Sequence, residues 1–154
     1  MADPNWLDER EAHAWHSYRT LQRELFVAVE RDLTRGSGLS AADYAVLVTL
    51  SEIPEGVLRP RELCAETGWD RSRLSHQVGR MEKRGLVTRE ECTSDARGSL
   101  VRITVSGRAA IEAAAPGHVE TVRRYFFDHV CPAELDTLIA VFDRMLAALA
   151  HPGT

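Results

Sequence analysis

Cysteine is scarce in this chain. Cys64, Cys92 and Cys131 are dispersed among 154 residues with no CxxC spacing. An odd, scattered set argues against a disulfide framework and against a four-thiolate zinc site. A reduced, cytoplasmic protein is therefore expected. Long apolar runs are missing as well. Stretches such as Tyr44 to Leu50 fall far short of the roughly 20 residues that span a bilayer, so no membrane partner is expected. The opening MADPNWLDER is acidic and has no apolar segment of the kind a secretory signal needs. Catalytic signatures are also lacking. There is no Gly-rich phosphate loop, no nucleophile elbow and no HExxH, and the six histidines form no i, i+4 pair. Neither an enzyme nor a bound cofactor or metal is expected.

What the chain does contain is an ordinary globular composition, 44% hydrophobic and 27% charged. The net charge of −4 would discourage contact with a polyanion. Its distribution reverses that impression. Residues 59–108 hold eleven Arg or Lys against seven Asp or Glu, a balance of +4, while the remainder stands at −8. One basic face on an acidic body is implied. Nearly all of that positive charge is arginine, with Lys83 the only lysine.

A helical period of three and four links Trp15, Tyr18, Leu21, Leu25, Val29 and Leu33, predicting a helix over about 7–33 that ends at Arg35-Gly-Ser-Gly. Ser40-Ala-Ala-Asp43 has the form of a capping box with Asp at its fourth position. The helix it opens is apolar nearly all round and should be central. Pro54-Glu-Gly56 ends it. A short helix over Arg61–Thr67 closes at Gly68, and Asp70 can cap the next, which runs to about Arg84. Residues 86–92 and 100–105 alternate in the manner of two strands joined by a polar loop. Ser106 can cap a further helix, which Pro116-Gly117 must kink or split. Pro132 opens the last helix, whose stripe comprises Leu135, Leu138, Ile139, Phe142, Met145, Leu146 and Leu149. The fold class is mainly α with a small β-hairpin.

The order helix, short helix, turn, helix, hairpin is that of a winged helix-turn-helix. In the helix after Asp70, Leu74, Val78 and Met81 share one face and can anchor it. The opposite face collects Ser72, Ser75, His76, Gly79 and Lys83, flanked by Arg73 and Arg80, with no acidic side chain. Serine, histidine, glutamine and arginine can reach base edges and phosphates in a major groove. The alternative is an ordinary solvated face formed by Arg71, Arg73, Arg80, Lys83 and Arg84.

Residues 72–107 resemble the MarR family of bacterial transcription regulators. The stretch SRLSHQVGRMEKRGLV (72–87) is similar to the family's recognition helix and its exit into the first wing strand. DARGSLVRITVSG (95–107) is similar to its wing signature, with Asp and Arg two apart, apolar strand positions, then Thr and Gly. The resemblance implies one MarR-like domain over 1–154. Within it, a winged helix-turn-helix DNA-binding lobe spans 40–106, and a helical dimerisation region spans 7–33 and 107–150. It implies a homodimer on a pseudo-palindromic double-stranded operator, most often as a repressor. The DNA-binding residues are then Arg71, Ser72, Arg73, Ser75, His76, Arg80 and Lys83 on the helix. Asp95 and Arg97 join them on the wing, Arg97 entering a minor groove. Small aromatic or phenolic anions are the common effectors of the family. Trp15, His16, Tyr18 and Arg19 could supply rings to stack and cations to meet a carboxylate, although Trp15 and Tyr18 could equally belong to a dimer core. A redox- or metal-responsive regulator on the same fold is the main alternative, suggested by His118, His129 and Cys131. A small helical enzyme is the other.

Overall fold

The computed structural model describes residues 4–91 and 99–150, so Cys92, Asp95, Arg97 and His151 lie outside the described residues. Two compact units are present, 1–118 and 119–154. In the first, α1 (Glu9–Ser37) is followed by α2 (Ala41–Glu52), β1 (Val57–Leu58), α3 (Pro60–Thr67), α4 (Arg71–Lys83), β2 (Val87–Glu91) and β3 (Ser99–Ile103). Then come α5 (Val105–Tyr125), a 3-10 turn (Phe127–His129) and α6 (Pro132–Ala150).

Local signals account for most of these boundaries. Asp8 and Ser40 each form a complete capping box, with Glu11 and Asp43 reaching back to the cap N–H. Gly38 closes α1 at φ 72°, a left-handed conformation that glycine adopts without steric cost. As the sequence implies, α2 is the central helix. Val46, Leu47 and Leu50 are fully buried against Leu63, Leu74, Met81, Val87 and Val101. Each such side chain contributes about 1.5–3 kcal/mol through removal from water.

Four readings of the sequence need correction. The sheet has three strands in the order β1-β3-β2, all antiparallel, rather than a simple hairpin. Val57 and Leu58 pair with Arg102 and Val101, a two-residue strand too short to carry a period. β3 ends at Ile103, and Val105, which alternation assigned to the strand, opens α5 and stands 90% exposed. The side chain that caps α5 is that of Thr104, not Ser106. Thr104 Oγ1 accepts from the Gly107 N–H at 2.9 Å and lies 2.6 Å from the Gly85 carbonyl, to which it donates. A Cβ at Gly107 would stand 2.0 Å from the Leu86 carbonyl oxygen, so backbone contact requires glycine there. Finally, of the two outcomes open at Pro116-Gly117 the split does not occur, since α5 runs through Pro116 as a single helix. Proline removes one N–H bond without ending the remainder of the ladder.

In the second unit, no residue of α6 is buried in the single chain. Ile139, Phe142, Met145, Leu146 and Leu149 are all exposed, as are Trp15, Tyr18, Leu21, Phe26 and Val27 on α1. The stripes read from the periodicity are therefore largely uncovered: Leu33 is buried and Leu25, Val29, Leu135 and Leu138 are half-buried, while their other positions stand exposed.

Candidate nucleic-acid interface

The site is built on α4. Asp70 caps it, accepting the Arg73 N–H at 2.9 Å. That bond holds the Asp70 carboxyl below its ordinary value, so the cap is charged at neutral pH. Leu74, Val78 and Met81 are buried as expected and fix the helix to the body. With that face committed, Arg71, Ser72, Arg73, Ser75, His76, Arg80 and Lys83 are all exposed. The Arg73 guanidinium sits 4.5 Å above the Trp69 ring, a cation–π contact that orders it without neutralising it. The nearest carboxylate on the helix, Glu82, is occupied. It accepts the Arg89 N–H at 3.2 Å and faces the Arg89 guanidinium at 3.5 Å. The outward face therefore presents four cations, from Arg71, Arg73, Arg80 and Lys83, with no acid among them.

Gln77 does not belong to that face. The glutamine of α4 points inward, 2% exposed, and donates to Asp43 Oδ1 at 2.7 Å. The other Asp43 oxygen accepts from Arg84 Nη1 at 2.6 Å. Arg84 also donates to the Gly38 carbonyl at 3.1 Å. It is thus held at the α1–α2 junction rather than serving as one more solvated cation of α4. Burial by itself would raise the Asp43 carboxyl. The Ser40 N–H, the Arg84 guanidinium and the Ser40 hydroxyl outweigh it and hold the group below its ordinary value. Sequence reading identified Asp43 only as a cap. An acid at the fourth position of a capping box carries no mark of a second partner 34 residues away.

The sheet is tied to the same helix. Arg89 Nη2 on β2 donates to the Ser75 carbonyl at 3.0 Å. Arg102 on β3 is engaged by Glu90 at 2.6 Å and by the Glu55 carbonyl at 2.9 Å. Both strand arginines thus brace the hairpin. Between helix and sheet lies an open groove of about 200 Å³, rimmed by Arg71, Ser75, Arg89 and Ser99 over Leu74, Val78 and Val101.

The expected effector residues lie on the first half of α1. Trp15, His16, Tyr18 and Arg19 are all exposed, and the Trp15 and Tyr18 rings stack at 5.6 Å. Elsewhere, His118 packs its ring 4.3 Å from that of Tyr44, burial lowers its pKa, and its buried Nδ1 has no hydrogen-bond partner among the described residues. His129 Nε2 meets the Arg124 carbonyl at 3.0 Å, and Cys131 is exposed. Among the described residues, no three His, Cys, Asp or Glu side chains converge as a metal site would require. Within the same limits, no helix is long and apolar enough to cross a membrane.

Comparison with known proteins bears on this arrangement directly. A MarR family model matches residues 37–98, from the last residue of α1 to the residue before β3. The chain is similar to Sco3205 of Streptomyces coelicolor, a MarR family transcriptional regulator solved in complex with DNA. That likeness has a TM-score of 0.90 and 38% identity over 97% of this chain and 94% of the other. It is similar to AbsC of the same organism, also a MarR family regulator, at TM-score 0.90 and 37% identity over 96% and 99% of the two chains. CouR of Rhodococcus jostii RHA1, solved bound to p-coumaroyl-CoA, is 29% identical with a TM-score of 0.70 over 88% and 90%. No curated protein sequence matches the chain. Helix α3, the turn, the anchored cationic helix α4 and the braced sheet therefore form the winged helix of a known family, and the chain belongs to the MarR family of transcriptional regulators.

Proposed function

We propose that the protein is a ligand-responsive repressor that binds a pseudo-palindromic operator as a homodimer. The observation that carries this reading is the outward face of α4: four cations and the polar side chains of Ser72, Ser75 and His76, no acid, on a helix locked from behind by Leu74, Val78 and Met81. A helix so presented matches the width and polarity of a major groove. Ser75 and His76 contact base edges in this reading. Arg71, Ser72, Arg73, Arg80 and Lys83 contact phosphates or guanine, and Arg97, held by Asp95, enters the flanking minor groove.

The test is titration of a duplex selected by the protein from a random library, and of a scrambled duplex, at several salt concentrations. Ser75→Ala and His76→Ala should each lose about 1–3 kcal/mol and relax preference at one position of each half-site. Arg97→Ala should weaken binding to both duplexes. Because the dimer carries two wings, it should also flatten the salt slope by about two units. Unchanged affinity and slope in Arg97→Ala would remove the wing from DNA.

An aromatic anion is the effector in this reading. CouR offers a precedent with its aromatic acyl thioester. The Trp15–Tyr18 stack and the neighbouring His16 and Arg19 supply rings and cations at one end of α1. Salicylate should quench tryptophan fluorescence and weaken duplex binding over the same concentration range. A folded Trp15→Ala protein that responds equally well would exclude Trp15 from the site.

A further inference from the structure

The buried amide of Gln77 is engaged at both ends. Nε2 donates to Asp43 Oδ1 at 2.7 Å, and Oε1 accepts a hydrogen bond from Nη2 of the exposed Arg80. The second Asp43 oxygen is held by the Ser40 N–H at 3.0 Å and by Arg84 Nη1 at 2.6 Å. An ionised carboxylate can only accept hydrogen bonds, so the end of the Gln77 amide that turns toward Asp43 must be its NH2. The carbonyl is then left on the outer side, where a guanidinium, which can only donate, is its complement. The polarity of each link is thus dictated by the one behind it.

We infer that Asp43 and Gln77 are positioning residues for Arg80: a buried carboxylate orients a buried amide, and the amide holds the guanidinium on the outward face of α4 before DNA arrives. An exposed arginine normally loses rotamer freedom when it binds. One already held through a single N–H loses less and keeps its remaining donors for a phosphate or a guanine edge. The chain of contacts reaches further. Arg84, bonded to Asp43, also grips the Gly38 carbonyl, and Glu30 accepts the Ala41 N–H at 2.6 Å. The placement of Arg80 is therefore referred to the α1–α2 junction rather than to α4 alone. This inference rests on the DNA-binding reading of α4.

A double-mutant cycle in duplex affinity tests it, using the library-selected duplex at one fixed salt concentration. Gln77→Leu and Arg80→Ala should each weaken binding by about 5–50-fold. The double variant should be weaker than Arg80→Ala by no more than about twofold, because the amide acts only through the guanidinium. Gln77→Leu combined with Arg73→Ala should instead multiply the two single losses, since no hydrogen bond links that pair. A general structural defect would multiply in both cycles. A folded Gln77→Leu protein of unchanged affinity overturns the inference, as do losses for Gln77→Leu and Arg80→Ala that multiply. If Arg80→Ala is neutral while His76→Ala weakens binding, the relay is wrong and the DNA-binding reading survives. If both are neutral, both fall. A measurement on the unsubstituted chain stands whether or not Gln77→Leu folds. In the DNA-free protein, nitrogen relaxation at Nε–H should show Arg80 markedly more ordered than Arg71, and equal mobility would overturn the inference.

Discussion

An Asp43→Ala protein should unfold at distinctly lower urea concentration than the parent, with a loss of about 2–4 kcal/mol. The loss combines the Ser40 N–H left without the Asp43 acceptor of the capping box, worth about 1 kcal/mol, with the desolvated Gln77 donor left without an acceptor, worth about 1–3 kcal/mol. Arg84 adds little because its side chain is nearly half exposed and can rehydrate. The effect has a defined pH dependence. The Asp43 carboxyl lies below its ordinary value of 3.8 in the folded protein, so the unfolded chain takes up the proton first. Its contribution is complete above about pH 4 and is lost as pH falls through the lower, folded-state value. Urea midpoints of the parent and of Asp43→Asn should therefore differ most at neutral pH and converge below about pH 4. A gap that persists undiminished in acid would mean that the charge on Asp43 is not what stabilises the α2–α4 contact.

Removal of residues 132–154 should abolish tight operator binding. In the single chain no residue of α6 is buried, and Leu146 and Leu149 are 63% and 75% exposed. Together with the exposed stripe of α1, this is more apolar surface than a soluble monomer ordinarily leaves in water. A homodimer of the kind proposed would cover it, and light scattering of the full chain should give about 34 kDa, twice the 17.2 kDa of one chain. The truncated protein should aggregate, or persist as a monomer that binds the duplex about 10²–10⁴-fold more weakly, because the second half-site is no longer engaged from within the same molecule. A truncated protein that remains dimeric and binds like the parent would remove α6 from the interface.

The parts of this molecule readable in advance are those whose cause lies within a turn or two of chain. The Ser40 capping box, the glycine that ends α1, the Asp70 cap and the Leu74–Val78–Met81 face of α4 each follow from residues at most seven positions apart. Such signals place the helices and point the basic face of α4 outward, which is why the candidate interface could be named residue by residue. β1 was not readable, because two residues have no period and become a strand only through the edge that β3 offers them. Thr104 displaced Ser106 as the cap of α5 because the Gly85 and Leu86 carbonyls, which approach from another element, hold its hydroxyl. Nothing along the chain beside Arg89 distinguishes a brace from a solvated cation. It became a brace because folding carried the Ser75 carbonyl and Glu82 to it. Gln77 shows the division most sharply. The sequence names glutamine only among the residue types that can reach DNA and assigns Gln77 to neither face of α4. Its actual direction is imposed by a carboxylate 34 residues earlier, since a buried amide must find partners and Asp43 is the one the packing supplies. Periodicity and caps act along the chain and can be read from it. The choice among polar partners acts across the chain and exists only once the core has brought those partners together.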